Sequence, residues 1–472
     1  MGLKKNITYS SILTVANYIF PFLTFPYVTR VLGVENFGMC SFYSSVISYF
    51  LLFSMMGMST LAVREIAKNK VDRHELTKVY SSLLVLNGIT TIISIVVLLL
   101  SLVFVAKFKE YPQFIIIGAI HVLSNYFLLE WLFKGLEDFK YITLRSLVIR
   151  TVYVLSVFIF VRHESDFILY FLLTSLMVTV NALINVAYSR RFVRFSLKKI
   201  EINNYVKPYM IFGAYQILTS MYTSFNVAYL GFTCGDIEVG YYSTSVKLFN
   251  IILSFYTAFT GVLLPRMSMM IEAGDIIGFE TLLRRSLNLL FSIAIPVVLV
   301  SEFFSQEIIT IISGNGYAGA VSSMKIVMPL VLIIGIEQVL VYQVLMPLKK
   351  DKQVFINSCA GAIVGVILNV FLVPRLGSCG SAVAWISSEI VVLFCAIYFV
   401  QKSIRISQYL WPALIKKLQY YFLLAIILYV IKSLSGPPYS FVIGAVCCAI
   451  YCAIVELLID SSSELRKVLY KR

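Results

Sequence analysis

The chain has 472 residues, of which 59% are hydrophobic and 13% charged, with a mean hydropathy of +0.88. Average soluble domains carry about 25% charged residues, so a soluble globular protein is excluded, and apolar runs that continue for about 20 residues without alternating exclude a β-barrel. The net charge of +15 is better read as Lys and Arg gathered in cytoplasmic connections between membrane spans than as a nucleic-acid surface.

Fourteen candidate spans follow in chain order, at 9–31, 39–62, 80–106, 113–134, 142–161, 167–188, 208–230, 240–264, 286–305, 323–346, 354–373, 380–401, 412–434 and 439–459. Each approaches or exceeds the length that a hydrocarbon core of about 30 Å demands of a helix. Lys4 and Lys5 precede the first span, which is too long and lacks a small-residue cleavage site, so no cleavable leader is expected. The second half of that span, PFLTFPYVTRVLGVENFG, carries Pro21 and Pro26, then Arg30, then a turn bounded by Gly33 and Gly38. Interior prolines remove backbone hydrogen bonds and bend helices, and a membrane tolerates this only where protein or water re-satisfies the freed groups. Pro21, Pro26, Gly33 and Gly38 are therefore expected to act as a hinge.

Orientation follows from the basic residues. With the N-terminus in the cytoplasm, 30 of the 39 Lys and Arg fall in inner segments and six in outer ones, while Arg150, Lys247 and Lys325 fall within spans. Both termini are then cytoplasmic, and the protein is multi-pass. The connections are short, the longest being 189–207 and 265–285, so any chemistry has to lie within the spans. No ATP-binding loop, metalloprotease or nucleophile-elbow motif is present, and the three histidines are scattered. Neither an enzyme nor a metal site is expected, and no cofactor beyond a possible coupling to a proton or sodium gradient.

Sliding the chain by 202 residues places Gly33 on Gly235, Gly38 on Gly240, Ser41 on Ser243 and Arg64 on Arg266. In both copies a span ends, a short acidic turn between glycines follows, and a Tyr/Ser-rich span returns to an inner arginine. Six spans separate the copies, so they point the same way and form a parallel repeat.

Ionisable residues inside spans are costly and usually face a cavity or a partner. Lys247 lies about seven residues into the eighth span, roughly 10 Å from its outer end at 1.5 Å per residue. It either snorkels or pairs with a buried Glu, or it is a cation awaiting an anionic substrate. Arg150 and Arg30 are weaker candidates of the same kind, with snorkelling and interfacial anchoring as the plainer readings. Arg64 and Arg266, equivalent in the repeat, are candidates for an inner gate or rim. Glu337 and Glu389, near mid-span, are either a proton or sodium site or the counter-ion of a lysine. Glu130 stands four residues before Lys134 and is expected to pair with it along one helix face.

Four stretches together, PFLTFPYVTRVLGVENFG, EWLFKGLEDFKYITLRS at 130–146, EVGYYSTSVKLFNII at 238–252 with VLLPRMS at 262–268, and VPRLGSCGSAVAWISSE at 373–389, resemble the Wzx-type flippases of O-antigen and capsular polysaccharide synthesis. These belong to the multidrug/oligosaccharidyl-lipid/polysaccharide exporter superfamily. The resemblance runs over essentially the whole chain. It implies an all-α polytopic membrane protein with two six-helix lobes around a V-shaped central cavity and two extra C-terminal helices. On that basis residues 1–200 form the first lobe, 201–402 the second, and 403–472 the last two helices with a basic tail. It implies transfer of a polyprenyl-pyrophosphate-linked oligosaccharide from the cytoplasmic to the periplasmic leaflet, with membrane lipids, a polysaccharide polymerase and a chain-length regulator as partners, and no nucleic acid. In related lipid-linked precursor flippases a basic residue of the eighth helix faces the cavity, and Lys247 falls at the matching place. The first two spans carry few interior charges, which departs from those relatives. Two competing readings stand: a multidrug/cation antiporter of the same superfamily, which would favour an acidic, aromatic cavity, and a membrane glycan polymerase or ligase, which the short outer loops oppose.

Overall fold

A computed structural model of the chain describes residues 3–196, 200–434, 436 and 439–460. Helix dominates, and no strand occurs among the described residues. The basic residues Lys198, Lys199, Arg466, Lys467, Lys471 and Arg472, assigned above to inner segments, lie outside the described residues. The chain forms two compact units that divide between Val239 and Gly240.

The first unit contains α1 (Leu3–Met55), α2 (Met58–Asn69), α3 (Arg73–Phe104), α4 (Ala106–Glu110), α5 (Pro112–Tyr126), α6 (Glu130–Gly135), α7 (Phe139–Phe160), α8 (Phe167–Ser189) and α9 (Asn203–Thr233). The expected first and second spans are one continuous element, α1, broken only at Gly33, where φ is 73° and ψ 173°. An L side chain rarely adopts that conformation. The chain folds back there, since Phe25 and Phe37 meet across the break with ring centroids 5.8 Å apart. Asn36 holds the turn by donating to Leu32 O at 3.2 Å and to Glu164 O at 3.0 Å.

Pro21 and Pro26 sit inside helix rather than at the break. Thr24 and Thr29, three residues after each proline, donate back to the carbonyls of Pro21 at 3.2 Å and Pro26 at 3.2 Å. Gly38 is helical and buried. Of the four expected hinge residues, Gly33 is the one at which the backbone leaves the helix. Its partner in the 202-residue repeat, Gly235, also has a positive φ, 88°, so the repeat read from identities coincides with a shared backbone conformation.

The other end of α1 stops at Gly57, with φ 72°. Three side chains converge on the carbonyl of Ser54 just before it: Asn87 at 2.6 Å, Thr90 at 2.7 Å and Tyr209 at 3.2 Å. Tyr209 belongs to α9, which is one reason α9 packs with the first unit. A second reason lies in α4, where Lys107 Nζ donates to Gly231 O at 2.6 Å and pairs with Asp236 at 2.8 Å, over the ring of Phe42. The sequence repeat begins its second copy near residue 201, whereas packing carries α9 with the preceding helices.

The second unit contains nearly all of α10 (Asp236–Glu272), then α11 (Ile276–Phe303), α12 (Ser305–Ser313), α13 (Ala320–Val327), α14 (Leu330–Leu340), α15 (Asp351–Gln401), α16 (Ser407–Leu434) and α17 (Tyr439–Ile454). The expected eleventh and twelfth spans are likewise one element, α15, with a break at Gly377 (φ 54°, ψ −130°). The two halves run antiparallel: Ser388 donates to Gly361 O at 2.6 Å. Single π-helical turns end α14 at Val341–Leu345 and α17 at Val455–Ile459.

Among the described residues ten helices are long and apolar enough to cross a membrane. Two of these stretches are 51 residues long and contain the folded-back halves of α1 and α15. At 1.5 Å per residue, about 20 residues cross the core once, so each is long enough to cross it twice. Ile92, Val148, Ile363 and Phe422 are among many large apolar side chains left exposed on these helices, as a lipid-facing surface requires.

Candidate functional site

The membrane stretch of α10 is polar along one side. At 100° per residue, Ser243, Lys247, Asn250, Ser254 and Thr257 fall within an arc of about 80°. The opposite side of the same helix is packed: Leu248 and Phe249 are buried, and Ile252 and Tyr256 line an apolar cleft with Leu290, Ala294 and Val331. Lys247 and Asn250 are exposed.

Ser243 and Ser254 of the stripe are buried, and Ser243 Oγ makes no hydrogen bond among the described residues. Ser254 donates to Ile251 O at 2.6 Å, and Thr257 accepts from Gln338 Nε2 of α14 at 3.0 Å. No hydrogen bond or ion pair is made by Lys247 among the described residues. The counter-ion reading wanted a buried acid beside Lys247, and no acid meets it among the described residues.

The remaining intramembrane charges mostly find partners. Arg145 is buried on α7 and is held by Glu130 at 3.2 Å, Ser146 at 3.1 Å and Asn185. Glu130 also pairs with Lys134 at 3.1 Å, as its spacing predicts. Lys417 is fully buried on α16 between Glu456 at 2.5 Å and Asp460 at 2.8 Å, and Tyr421 donates to Glu456 at 2.9 Å. At the other end of α16, Lys432 pairs with the buried Glu307, which also accepts from Ser440. Arg150, half-buried on α7, and Lys325, exposed on α13, are further cations within spans that make no ion pair or hydrogen bond among the described residues.

The carboxyl groups of Glu337 on α14 and Glu389 on α15 lie near enough to interact with each other. Glu389 is 3% exposed and accepts from Trp385 Nε1 at 2.9 Å. Trp385 meets Phe249 edge-on, with ring centroids 5.0 Å apart. Phe249 is two residues from Lys247, so side-chain contacts run from the polar helix to the carboxyl pair. Two carboxyl groups can hydrogen-bond to each other only with a proton between them. The lysine counter-ion expected as one alternative is not among their described contacts.

Arg30 is exposed just before the Gly33 break. Arg64 is exposed, pairs with Glu65 at 3.0 Å and lies over the ring of Phe212 at 5.5 Å; Arg266 is exposed.

Sequence reasoning missed three features. The buried Arg145–Asn185 contact was counted among inner-loop charges. Lys417 was read as a cytoplasmic residue, although Glu456 lies at nearly the same distance beyond the connection at Gly436 as Lys417 lies before it, a mirrored spacing that points to a cross-hairpin pair. The third is which amides reach across helices: Asn181 and Asn369 donate within their own helices, to Met177 O at 2.8 Å and Gly365 O at 2.7 Å. Asn87 and Asn185 do reach across helices. No cluster of metal-ligating side chains occurs among the described residues.

Comparison with known proteins agrees with this architecture. The family model described as "Polysaccharide biosynthesis protein" matches residues 3–271, and the one described as "Lipid II flippase MurJ" matches residues 172–447. A protein of Escherichia coli (strain K12), provisionally named as an O-antigen transporter, is 24% identical over 407 residues, covering 85% of this chain and 98% of its own. The solved lipid II flippase MurJ in its inward closed conformation superposes with a TM-score of 0.80 at 14% identity, over 98% of this chain and 100% of its own. An inward-facing multidrug transporter of the MATE family superposes with a TM-score of 0.64 at 13% identity, over 84% and 98%. The Wzx-type resemblance is thus borne out: the chain is a multi-pass membrane protein that belongs to the polysaccharide biosynthesis protein family and has the fold of the MurJ and MATE transporters.

Proposed function

We propose that the chain is a flippase that carries polyprenyl-pyrophosphate-linked oligosaccharide units from the cytoplasmic to the periplasmic leaflet of a bacterial inner membrane, by alternating access, with both termini cytoplasmic. The observation that carries this reading is Lys247, an exposed cation without an ion partner among the described residues, on the polar side of a membrane helix. Pyrophosphate and sugar cannot enter hydrocarbon unaided, because polar groups stripped of water cost several kcal/mol each. A cation and neighbouring hydroxyl and amide groups replace that water, while the polyprenyl chain stays in lipid. Arg150 is a second cation for the same substrate, Arg30 a rim residue, and Arg64 and Arg266 residues of the inner rim. The Glu337–Glu389 pair, holding one proton, is the site through which a proton gradient drives the cycle. Repeat units delivered in this way would pass to a polysaccharide polymerase and its chain-length regulator.

Complementation tests the reading. Lys247→Ala is expected to reach the membrane in normal amount and to abolish surface polysaccharide, whereas Lys247→Arg retains part of it. Normal polysaccharide in the alanine variant would make Lys247 a structural charge and remove the proposed site. The multidrug/cation antiporter reading draws on the carboxyl pair and the MATE-like fold. It predicts export of cationic dyes that Glu389→Gln abolishes and Lys247→Ala leaves intact.

A further inference from the structure

We infer that Asn250 is a second substrate-contacting residue, which reads the sugar joined to the pyrophosphate; this rests on the flippase reading of Lys247. Asn250 lies three residues beyond Lys247, so the two side chains are neighbours on one helix face, about 5–6 Å apart at Cβ. Both are exposed, and Asn250, like Lys247, makes no hydrogen bond among the described residues. Ser254 and Thr257 of the stripe behave differently, being satisfied by their own helix or by Gln338, and Ser243 is buried.

An amide carries two donors and an acceptor, and leaving it unpaired against hydrocarbon is expensive. A lipid-facing position would be filled by an apolar side chain, as at Ile293 on α11, which is 51% exposed. The pair offers two different chemistries side by side. Lys247 supplies only donors and a positive charge, suited to a phosphoryl group. Asn250 supplies a donor and an acceptor together, suited to adjacent hydroxyls or an acetamido group of a sugar ring. Their spacing matches a phosphoryl group and the ring directly attached to it. Asn250 thus distinguishes a loaded carrier lipid from a bare one.

The test measures binding by the purified full chain of two probes: polyprenyl pyrophosphate, and the same lipid bearing one N-acetylhexosamine. Asn250→Ala is expected to weaken the sugar-bearing probe by about tenfold and to leave the bare lipid within about twofold, with an unchanged melting temperature. Asn250→Gln recovers part of the loss. Lys247→Ala weakens both probes. If Asn250→Ala binds both probes as wild type does, or loses both equally, the assignment of Asn250 fails while that of Lys247 stands. If Lys247→Ala binds both probes normally, the flippase site itself is wrong, whatever Asn250 does.

Discussion

The indole N–H of Trp385 donates to Glu389 Oε1 at 2.9 Å, one turn away on α15, while the ring abuts Phe249 of α10. One side chain therefore touches both the carboxyl pair and the helix that presents Lys247. Trp385→Phe keeps an aromatic ring against Phe249 and removes the donor. It is expected to fold normally and to slow flipping in proteoliposomes by about tenfold, the equivalent of one lost hydrogen bond to a carboxylate. Trp385→Ala also removes buried ring surface and should lower stability by about 3–5 kcal/mol, read as a fall in melting temperature.

Glutamine keeps the shape of the carboxyl pair and cannot release a proton. Glu389→Gln and Glu337→Gln are expected to reach the membrane and to lose the acceleration of flipping that an imposed pH gradient produces. A sodium gradient imposed at constant pH should have no effect on the wild-type protein. Stimulation by sodium alone would mean that the two carboxyls hold a metal ion in turnover.

Lys417 shows what breaking a buried charge cluster does. Lys417→Met takes the lysine from the buried Glu456, while Asp460 keeps its pair with Lys416 at 2.8 Å, and should cost about 3–5 kcal/mol. Lys417→Met combined with Glu456→Gln removes that pair of charges together, leaves Lys416 with Asp460, and should recover most of that loss. Thermal unfolding in detergent separates the two outcomes.

Gly33 and the two prolines make opposite predictions for α1. Gly33→Ala forces an L side chain into a conformation that only glycine adopts readily and should cost about 1–3 kcal/mol. Pro26→Ala restores a helical N–H and should leave the protein as stable or more stable. If flipping falls in Pro26→Ala while the melting temperature rises, the prolines are needed for movement rather than for the fold.

The sequence made the spans legible because hydrocarbon imposes one length on every crossing helix. It also located the two glycine turns, since Gly33 and Gly235 were paired by the repeat before their positive φ values were known. Lys247 stood out because an ionisable residue within a span is rare. What stayed hidden depends on three-dimensional adjacency. Glu337 and Glu389 are 52 positions apart, and nothing local in either span marks the other as its partner. Lys417 looked like an ordinary basic residue at a span end because its two acids follow a whole helix later. The hinge expected at Pro21, Pro26, Gly33 and Gly38 rested partly on prolines because isolated helices bend there, whereas here Thr24 and Thr29 accompany the prolines within helix and the break lies at Gly33.

The charges that fasten the last two helices also bear on how the chain is made. Lys417 is synthesised 39 residues before Glu456, while Glu307, the partner of Lys432, is made 125 residues before it. Until α17 emerges, Lys417 has neither of its acids, and until α16 docks, Glu307 lacks its lysine. A chain released before α16 would leave Glu307 without its lysine, and one released before α17 would leave Lys417 without Glu456 and Asp460. Assembly of the second unit is therefore complete only when α16 and α17 enter as a pair, which makes the terminal hairpin the checkpoint by which a truncated product differs from a finished one.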